Sequence, residues 1–168
     1  MISEVYLLSS LPSLSFGNKP PITLEEFEHT AKMELPEKDI AVLDEVSIRL
    51  DECGAGSVLS TKVCSILREL QEDISMIRRS KNENQDPKTN LLPASVLVEN
   101  PLNSEIIAMK WLWEQIEEIE SGRTFTMHEV VAYKLKLQIL QRLYSFNKEK
   151  GKAILDSLLE ASERSIAQ

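Results

Sequence analysis

The chain has 168 residues, of which 42% are hydrophobic and 27% are charged, and this composition is typical of a folded globular protein rather than a disordered or fibrous one. Its 19 basic and 27 acidic residues give a formal net charge of −8, which argues against broad binding to nucleic acid or to anionic membranes. A chain of this size buries roughly 68 to 70% of its unfolded surface, so we expect a single helical domain over residues 1–168 whose core needs no metal or cross-link.

No signal peptide or membrane-spanning segment is predicted. No stretch approaches the roughly 18 to 20 consecutive apolar residues that cross a bilayer. The short apolar run over residues 5–8 follows Glu4 and is soon broken by Pro12, which is unlike a secretory signal. Two cysteines, Cys53 and Cys64, provide neither a disulfide framework nor a zinc-site spacing, and they favour a reducing compartment. We therefore expect a cytoplasmic protein without direct membrane insertion.

Residues 1–22 are predicted to form an extended arm. They contain Pro12, Gly17 and the pair Pro20 and Pro21. Proline fixes its own φ angle and disfavours the helical conformation in the residue before it. Apolar side chains in this arm are expected to dock it on the helical body.

Two helices are predicted next, over residues 24–35 and 37–53. The first begins with a capping box, in which Thr23 and Glu26 satisfy each other's backbone donors. It ends before Pro36, which cannot continue a helix but can open the next one. The second shows apolar side chains at steps of three or four: Ile40, Leu43, Val46, Leu50 and Cys53.

A longer helix is predicted over residues 57–79, after a reversal at residues 54–56. The two helices flanking these glycines should form a hairpin that brings Cys53 and Cys64 close together. Cys64 lies near the apolar line of its helix, which favours a buried and inert thiol. Residues 80–89 have no hydrophobic member, so we expect a flexible loop over 80–90 between two helical halves.

The second half of the chain contains two further long helices. Residues 104–120 are periodic and end at Gly122, and residues 127–146 follow a second capping-box pattern at Thr126 and Glu129. A last helical segment is expected over residues 152–166. The sequence therefore predicts an all-α bundle of five to six helices with an extended N-terminal arm.

No catalytic, cofactor-binding or metal-binding residue is predicted. The two histidines, His29 and His128, lie in predicted helices, and the start of a helix should lower the pKa of His128. The carboxylates fall on polar helix faces or in first turns, and no glycine pattern resembles a phosphate-binding loop. The one basic cluster, Arg78, Arg79 and Lys81, lies at a helix C-terminus, where cations are favourable. We expect a protein that is not an enzyme.

Two features of the predicted helices indicate contact with a partner. Trp111 and Trp113 lie about 200° apart around one helix, so either one of them is exposed or that helix is covered on two sides. The helix over 127–146 is apolar on more than one face, so it is either central or presents a second face to another protein. The candidate interface residues are Trp111, Trp113, Tyr133, Arg142 and Tyr144.

Both ends of the sequence resemble an uncharacterised bacterial family that is encoded beside the subunits of V-type (A/V-type) ATPases. The N-terminal likeness lies in residues 6–14 and 20–27, with the strings YLLSSLPSL and PPITLEEF. The C-terminal likeness lies in residues 130–137, 140–142 and 150–152. The family is distantly similar to the all-helical C (or d) subunit, the socket that joins the central shaft to the membrane rotor ring.

The resemblance implies a non-catalytic coupling or assembly subunit without cofactors. Its expected partners are the central shaft or the membrane rotor ring, and its expected location is cytoplasmic, at the periphery of a membrane-bound ATPase complex. The chain is considerably shorter than the socket subunits and cannot form their three-lobed funnel. The alternative is a free-standing helical regulatory adaptor that binds its partners through the helix over 127–146. An enzyme using the acidic clusters is a third hypothesis, which requires two carboxylates to converge in a pocket.

Overall fold

The computed structural model describes residues 2–83, 86 and 88–146. Within these ranges the chain contains six α-helices, two short 3₁₀ helices and no strand, which confirms the predicted all-α bundle. The last predicted segment, over 152–166, lies outside the described residues. The helices are α1 (Ile2–Ser10), α2 (Leu24–Glu34), α3 (Glu37–Asp44), α4 (Val58–Asn82), α5 (Pro101–Glu120) and α6 (Met127–Ser145), and the 3₁₀ helices are Leu50–Glu52 and Ala94–Leu97.

Helix α6 is the central helix of the bundle. It packs along α5 and also contacts α1, α2 and α3. Its apolar side chains on all sides are between 0% and 1% exposed: Val130, Val131, Ala132, Leu135, Leu137, Ile139 and Leu140. Burying one large aliphatic side chain contributes about 1.5 to 3 kcal/mol, so this helix supplies much of the hydrophobic stabilisation. The unusual apolarity of α6 is thus explained by enclosure within the chain's own core.

The N-terminal arm is helical over its first part, so its extended conformation was predicted wrongly there. Residues 2–10 form α1, and residues 11–23 contain no helix. Leu7 is fully buried, and the Ser10 hydroxyl donates a hydrogen bond to the Leu7 carbonyl. Packing of α1 against α2 and α6 stabilises a helix that is too short to be stable alone. Pro12 affects only the residues from the end of α1 onward.

Helix α3 is shorter than predicted, because contacts with α6 hold the following residues in another conformation. It covers 37–44 instead of 37–53. The Lys134 ammonium donates to the Leu43 carbonyl at 2.8 Å, near the end of α3. The Ile48 backbone N–H donates to the Gln138 side-chain oxygen at 3.0 Å. These side chains from α6 provide backbone partners that a continuing helix would otherwise supply.

Cys53 and Cys64 are joined by a disulfide, which corrects the expectation of a buried free thiol at Cys64. Their Cα atoms lie 5.9 Å apart, and 11 positions separate them in the sequence. The predicted reversal between them is present, although the α-helix before it ends at Asp44 and only the 3₁₀ helix Leu50–Glu52 leads into the turn. A side chain at Gly56 would meet the Glu45 carboxylate, which would have to move aside.

Helix α4 extends through Asn82, and a buried carboxylate fixes the chain soon after it. The expected loop over 80–90 is therefore wrong at its first residues, which are helical. Asp73 is 1% exposed, and its carboxylate accepts backbone hydrogen bonds from Asn90 at 2.8 Å, Leu91 at 3.3 Å and Leu92 at 3.1 Å. We call these three bonds the Asp73 clamp.

The two predicted capping boxes differ in outcome. At the start of α2, the Thr23 hydroxyl accepts from the Glu26 N–H and the Glu26 carboxylate accepts from the Thr23 N–H, as predicted. At the start of α6, Thr126 accepts no such bond, and its hydroxyl donates to the Arg123 carbonyl instead. Glu129 accepts from the N–H of the preceding Phe125. The same sequence pattern therefore forms a capping box at α2 and a different set of local bonds at α6.

Candidate protein-interaction surface

Neither tryptophan of α5 is fully exposed. Trp113 is buried, its Nε1 donates to Glu117 at 2.9 Å, and its ring meets Phe16 edge to face with centroids 5.6 Å apart. The Lys136 ammonium lies 5.2 Å from the centroid of the same ring, a cation–π contact. Trp111 is partly buried against the core. Of the two alternatives left by the sequence, α5 is therefore the helix covered on two sides.

Tyr133 is also engaged within the chain. Its ring stacks on Phe27 with centroids 5.4 Å apart, and its hydroxyl donates to the Pro12 carbonyl at 2.9 Å. Burial raises the pKa of Tyr133 to about 12, because a phenolate would be poorly solvated there. Tyr133 therefore fastens the N-terminal residues to α6 instead of presenting its hydroxyl to a partner.

Arg142 and Tyr144 lie at the exposed end of α6. The Arg142 Nε donates to the Glu105 carboxylate of α5 at 2.6 Å, and the guanidinium lies 5.8 Å from the ring centroid of Phe146. Tyr144 is 40% exposed, and the Lys19 ammonium lies 5.7 Å from its ring centroid. Of the five candidate residues, these two present the most accessible surface.

Exposed apolar side chains continue this surface onto the beginning of α5. Leu102 and Ile106 flank Glu105, the ion-pair partner of Arg142, and both are exposed. We call Leu102, Ile106, Arg142 and Tyr144 the end surface. These four side chains lie at one end of the α5–α6 pair, Tyr144 beside Lys19 and the other three around the Arg142–Glu105 pair. Aromatic, aliphatic and arginine side chains are the types that anchor protein interfaces.

A groove that no sequence pattern predicted runs between α4 and α5. It consists of two adjoining cavities of about 630 Å³ and 270 Å³, which share Ile74, Arg78 and Glu105. We call it the α4–α5 groove. Its floor is apolar and includes Leu67, Leu70, Ile74, Ile77, Leu92, Val96, Ala108, Met109 and Leu112.

Charged side chains border the α4–α5 groove. Arg49 pairs with Asp51 at 3.4 Å, and Arg142 pairs with Glu105. Glu99 also lines the smaller cavity and accepts a hydrogen bond from the Asn103 side-chain amide at 2.8 Å. Arg78, between the two cavities, has no ion-pair partner among the described residues. Two members of the basic cluster noted in the sequence, Arg78 and Lys81, therefore border an apolar depression.

The described residues contain no group of three or more metal-ligating side chains, and no helix among them is long and apolar enough to cross a membrane. His29 is exposed on α2. The pKa of His128 is lowered, as predicted, but burial is the largest cause, followed by the charges of Arg123 and Lys62. Several partly buried acidic side chains make structural bonds, among them Glu45, Glu105 and Glu120, and the buried Asp73 holds its clamp.

Comparisons with known proteins assign no family to the chain. No family model, no curated protein and no solved structure matches it. A function has to be inferred from the contacts described above together with the resemblance of the sequence.

Proposed function

We propose that the chain is a non-catalytic structural subunit of a bacterial V-type ATPase, bound to the central shaft or the membrane rotor ring on the cytoplasmic side. The observation that carries this proposal is the organisation of α6. The stretches that resemble the ATPase-linked family, residues 130–137 and 140–142, form much of this central helix. The helix ends in Arg142 and Tyr144, which belong to the end surface.

The contacts of the acidic side chains support a non-catalytic role. Glu26 closes a helix cap, Asp73 holds three backbone N–H groups, and Glu105 and Glu120 form ion pairs with Arg142 and Lys136. Paired carboxylates act as acid and base only when a cleft gives them different environments. The partners of these four carboxylates account for them without a reaction.

The end surface supports binding to a larger assembly. A stable protein interface buries about 1,200 to 2,000 Å² in total, and its energy is concentrated in a few central anchors. Tyr144, Leu102 and Ile106 provide apolar area, and the Arg142–Glu105 pair provides polar contacts beside them. This arrangement fits a subunit that docks through one end of its bundle.

One observation favours the alternative, a free-standing helical adaptor unrelated to the ATPase. Disulfides are rare in the reducing cytosol, and Cys53 and Cys64 are bonded to each other. A chain that keeps this bond in the cell would fit an adaptor in an oxidising compartment better than a cytoplasmic subunit. The redox state of the pair in freshly lysed cells therefore discriminates between the two functions.

Affinity purification from native membranes after mild solubilisation tests the proposal. We expect the shaft and catalytic-head subunits in the mass spectrum of the purified material. Tyr144→Ala combined with Ile106→Asp should remove them, whereas Met33→Ala, at an exposed position on α2, should not. Isolation of a complete and active ATPase complex without this chain would contradict the proposal.

A further inference from the structure

We infer that the α4–α5 groove is a docking site for an acidic amphipathic helix of a partner protein. The groove combines an apolar floor with two cations on its margin, Arg78 and Lys81, that make no ion pair among the described residues. An amphipathic helix with an apolar face to bury and carboxylates to place beside these two cations fits this combination. The inference does not depend on membership of an ATPase, because it rests on the shape and charge of this surface alone.

Specific bonds hold both margins of the groove in place. On one side, the Ile48 N–H donates to Gln138, and Arg49 pairs with Glu52 at 3.0 Å, next to the disulfide at Cys53. On the other side, the Asp73 clamp fixes Leu92, which lines the groove. A groove whose margins are fixed before binding needs little ordering when a ligand arrives.

Charge determines the kind of helix that fits. The chain carries a net charge of −8, yet Arg78 and Lys81 border the groove without an ion-pair partner among the described residues. The carboxylates of a partner helix would be attracted to these two cations, and Glu99 on the same margin restricts them to the side of the groove formed by α4. A basic or neutral helix would leave Arg78 unpaired beside the buried apolar face.

The length of the groove sets the size of the partner helix. The residues of α4 that line it run from Leu67 to Lys81. At 1.5 Å per residue, this span is about 21 Å long, which corresponds to a partner helix of about 14 residues or four turns. Such a helix presents apolar anchors at i, i+3, i+4 and i+7.

The test uses the full chain and a synthetic probe. The probe is a fluorescein-labelled peptide of four helical turns, with leucines on one face and glutamates flanking them, and its binding is followed by fluorescence anisotropy. We expect saturable binding that weakens as salt is added, because exposed ion pairs are screened. A scrambled peptide of the same composition, whose leucines do not share a face, should not bind.

Charge-reversal variants locate the binding. Arg78→Glu should weaken binding roughly fivefold or more, the effect of losing a surface ion pair and gaining a repulsion. Arg68→Glu is the matched control, because Arg68 is an exposed arginine of α4 that does not line the groove, and it should change binding little. Circular dichroism of both variants checks that the helices are intact.

Four outcomes would overturn the inference. The first two are no binding, or equal binding of the scrambled peptide; the third is an equal loss in the two arginine variants. The fourth is occupation of the groove by another part of this protein. Binding that appears only after Leu158→Asp and Leu159→Asp would assign the groove to the chain's own C-terminal residues, and a dimer that Arg78→Glu dissociates would assign it to a second copy.

Discussion

Replacing Asp73 by alanine should destabilise the protein far more than replacing its neighbour Glu72. Asp73 is 1% exposed, and its carboxylate accepts the backbone hydrogen bonds of three consecutive residues, 90–92. Alanine removes both acceptor oxygens, and with them all three hydrogen bonds, and leaves a small void. Glu72 lies in the same helix but is exposed, so Glu72→Gln serves as the matched control.

The size of the effect follows from the burial of the three donors. A buried N–H that loses its partner costs about 1 to 3 kcal/mol. Asn90 is exposed and can turn its N–H to water, whereas Leu92 is buried and Leu91 is intermediate. Roughly two donors therefore remain unsatisfied, which predicts a loss of about 2 to 6 kcal/mol in the free energy of unfolding. Asp73→Asn should fall between alanine and wild type, because its amide keeps one acceptor oxygen but adds a competing donor.

Urea denaturation followed by circular dichroism measures this free energy. Hydrogen exchange supplies a local readout, since the amides of residues 90–92 should exchange faster in the variant. Glu72→Gln should stay within about 0.5 kcal/mol of wild type, as surface substitutions usually do. A similar loss in the two variants, or unchanged exchange at 90–92, would refute the structural role of the clamp.

Three further predictions concern other polar groups of the bundle. Reduction of the disulfide, or Cys53→Ser with Cys64→Ser, should cost about 2 to 3 kcal/mol, the loop entropy of a closure this short, measured by urea denaturation. Alkylation before and after reduction, read by mass spectrometry, should show both sulfurs blocked until reduced. Lys134→Met should cost about 1 to 3 kcal/mol by removing a buried bond to the Leu43 carbonyl, and a neutral result would show that water replaces it. The pKa of His128 should be below 6.5 in an NMR titration, because the folded state disfavours the charged imidazole. The contribution of His128 to stability should therefore be present above pH 6.5 and be lost as the pH falls through that value toward the folded-state pKa. His128→Gln, which does not titrate, is the reference for this pH dependence.

The sequence was sufficient to predict the helices whose apolar residues recur over several turns. The apolar period locates α4, α5 and α6, because burial of one face over 19 or more residues dominates local preferences. The apolar period did not predict helix α1, and it predicted that α3 continues beyond its observed end at Asp44. At α3, the deciding bonds come from Lys134 and Gln138, about 90 residues away, and no local pattern reports them.

The candidate surface was less predictable, because it depends on which helices meet. The spacing of residues in the sequence could not show that Phe16 packs on Trp113 or that the Pro12 carbonyl accepts a hydrogen bond from the Tyr133 hydroxyl. Asp73 did leave a signal in the sequence: it lies three residues after Leu70 and four before Ile77, on the buried face of α4. A carboxylate at such a position indicates a buried acceptor with partners. The α4–α5 groove depends on how two helices diverge, and a pattern within one helix does not contain that information.

Because α6 is enclosed by the other helices, the position of each of its side chains around and along the helix axis is fixed by the pocket that the side chain fills. One residue inserted near Ala132 would rotate every later side chain of the helix by about 100°, and would carry Leu137, Ile139 and Leu140 out of their pockets together. Exchanging any one of them for a residue of similar volume would disturb a single pocket. Among homologous sequences, we therefore expect substitutions within this helix but no insertions or deletions.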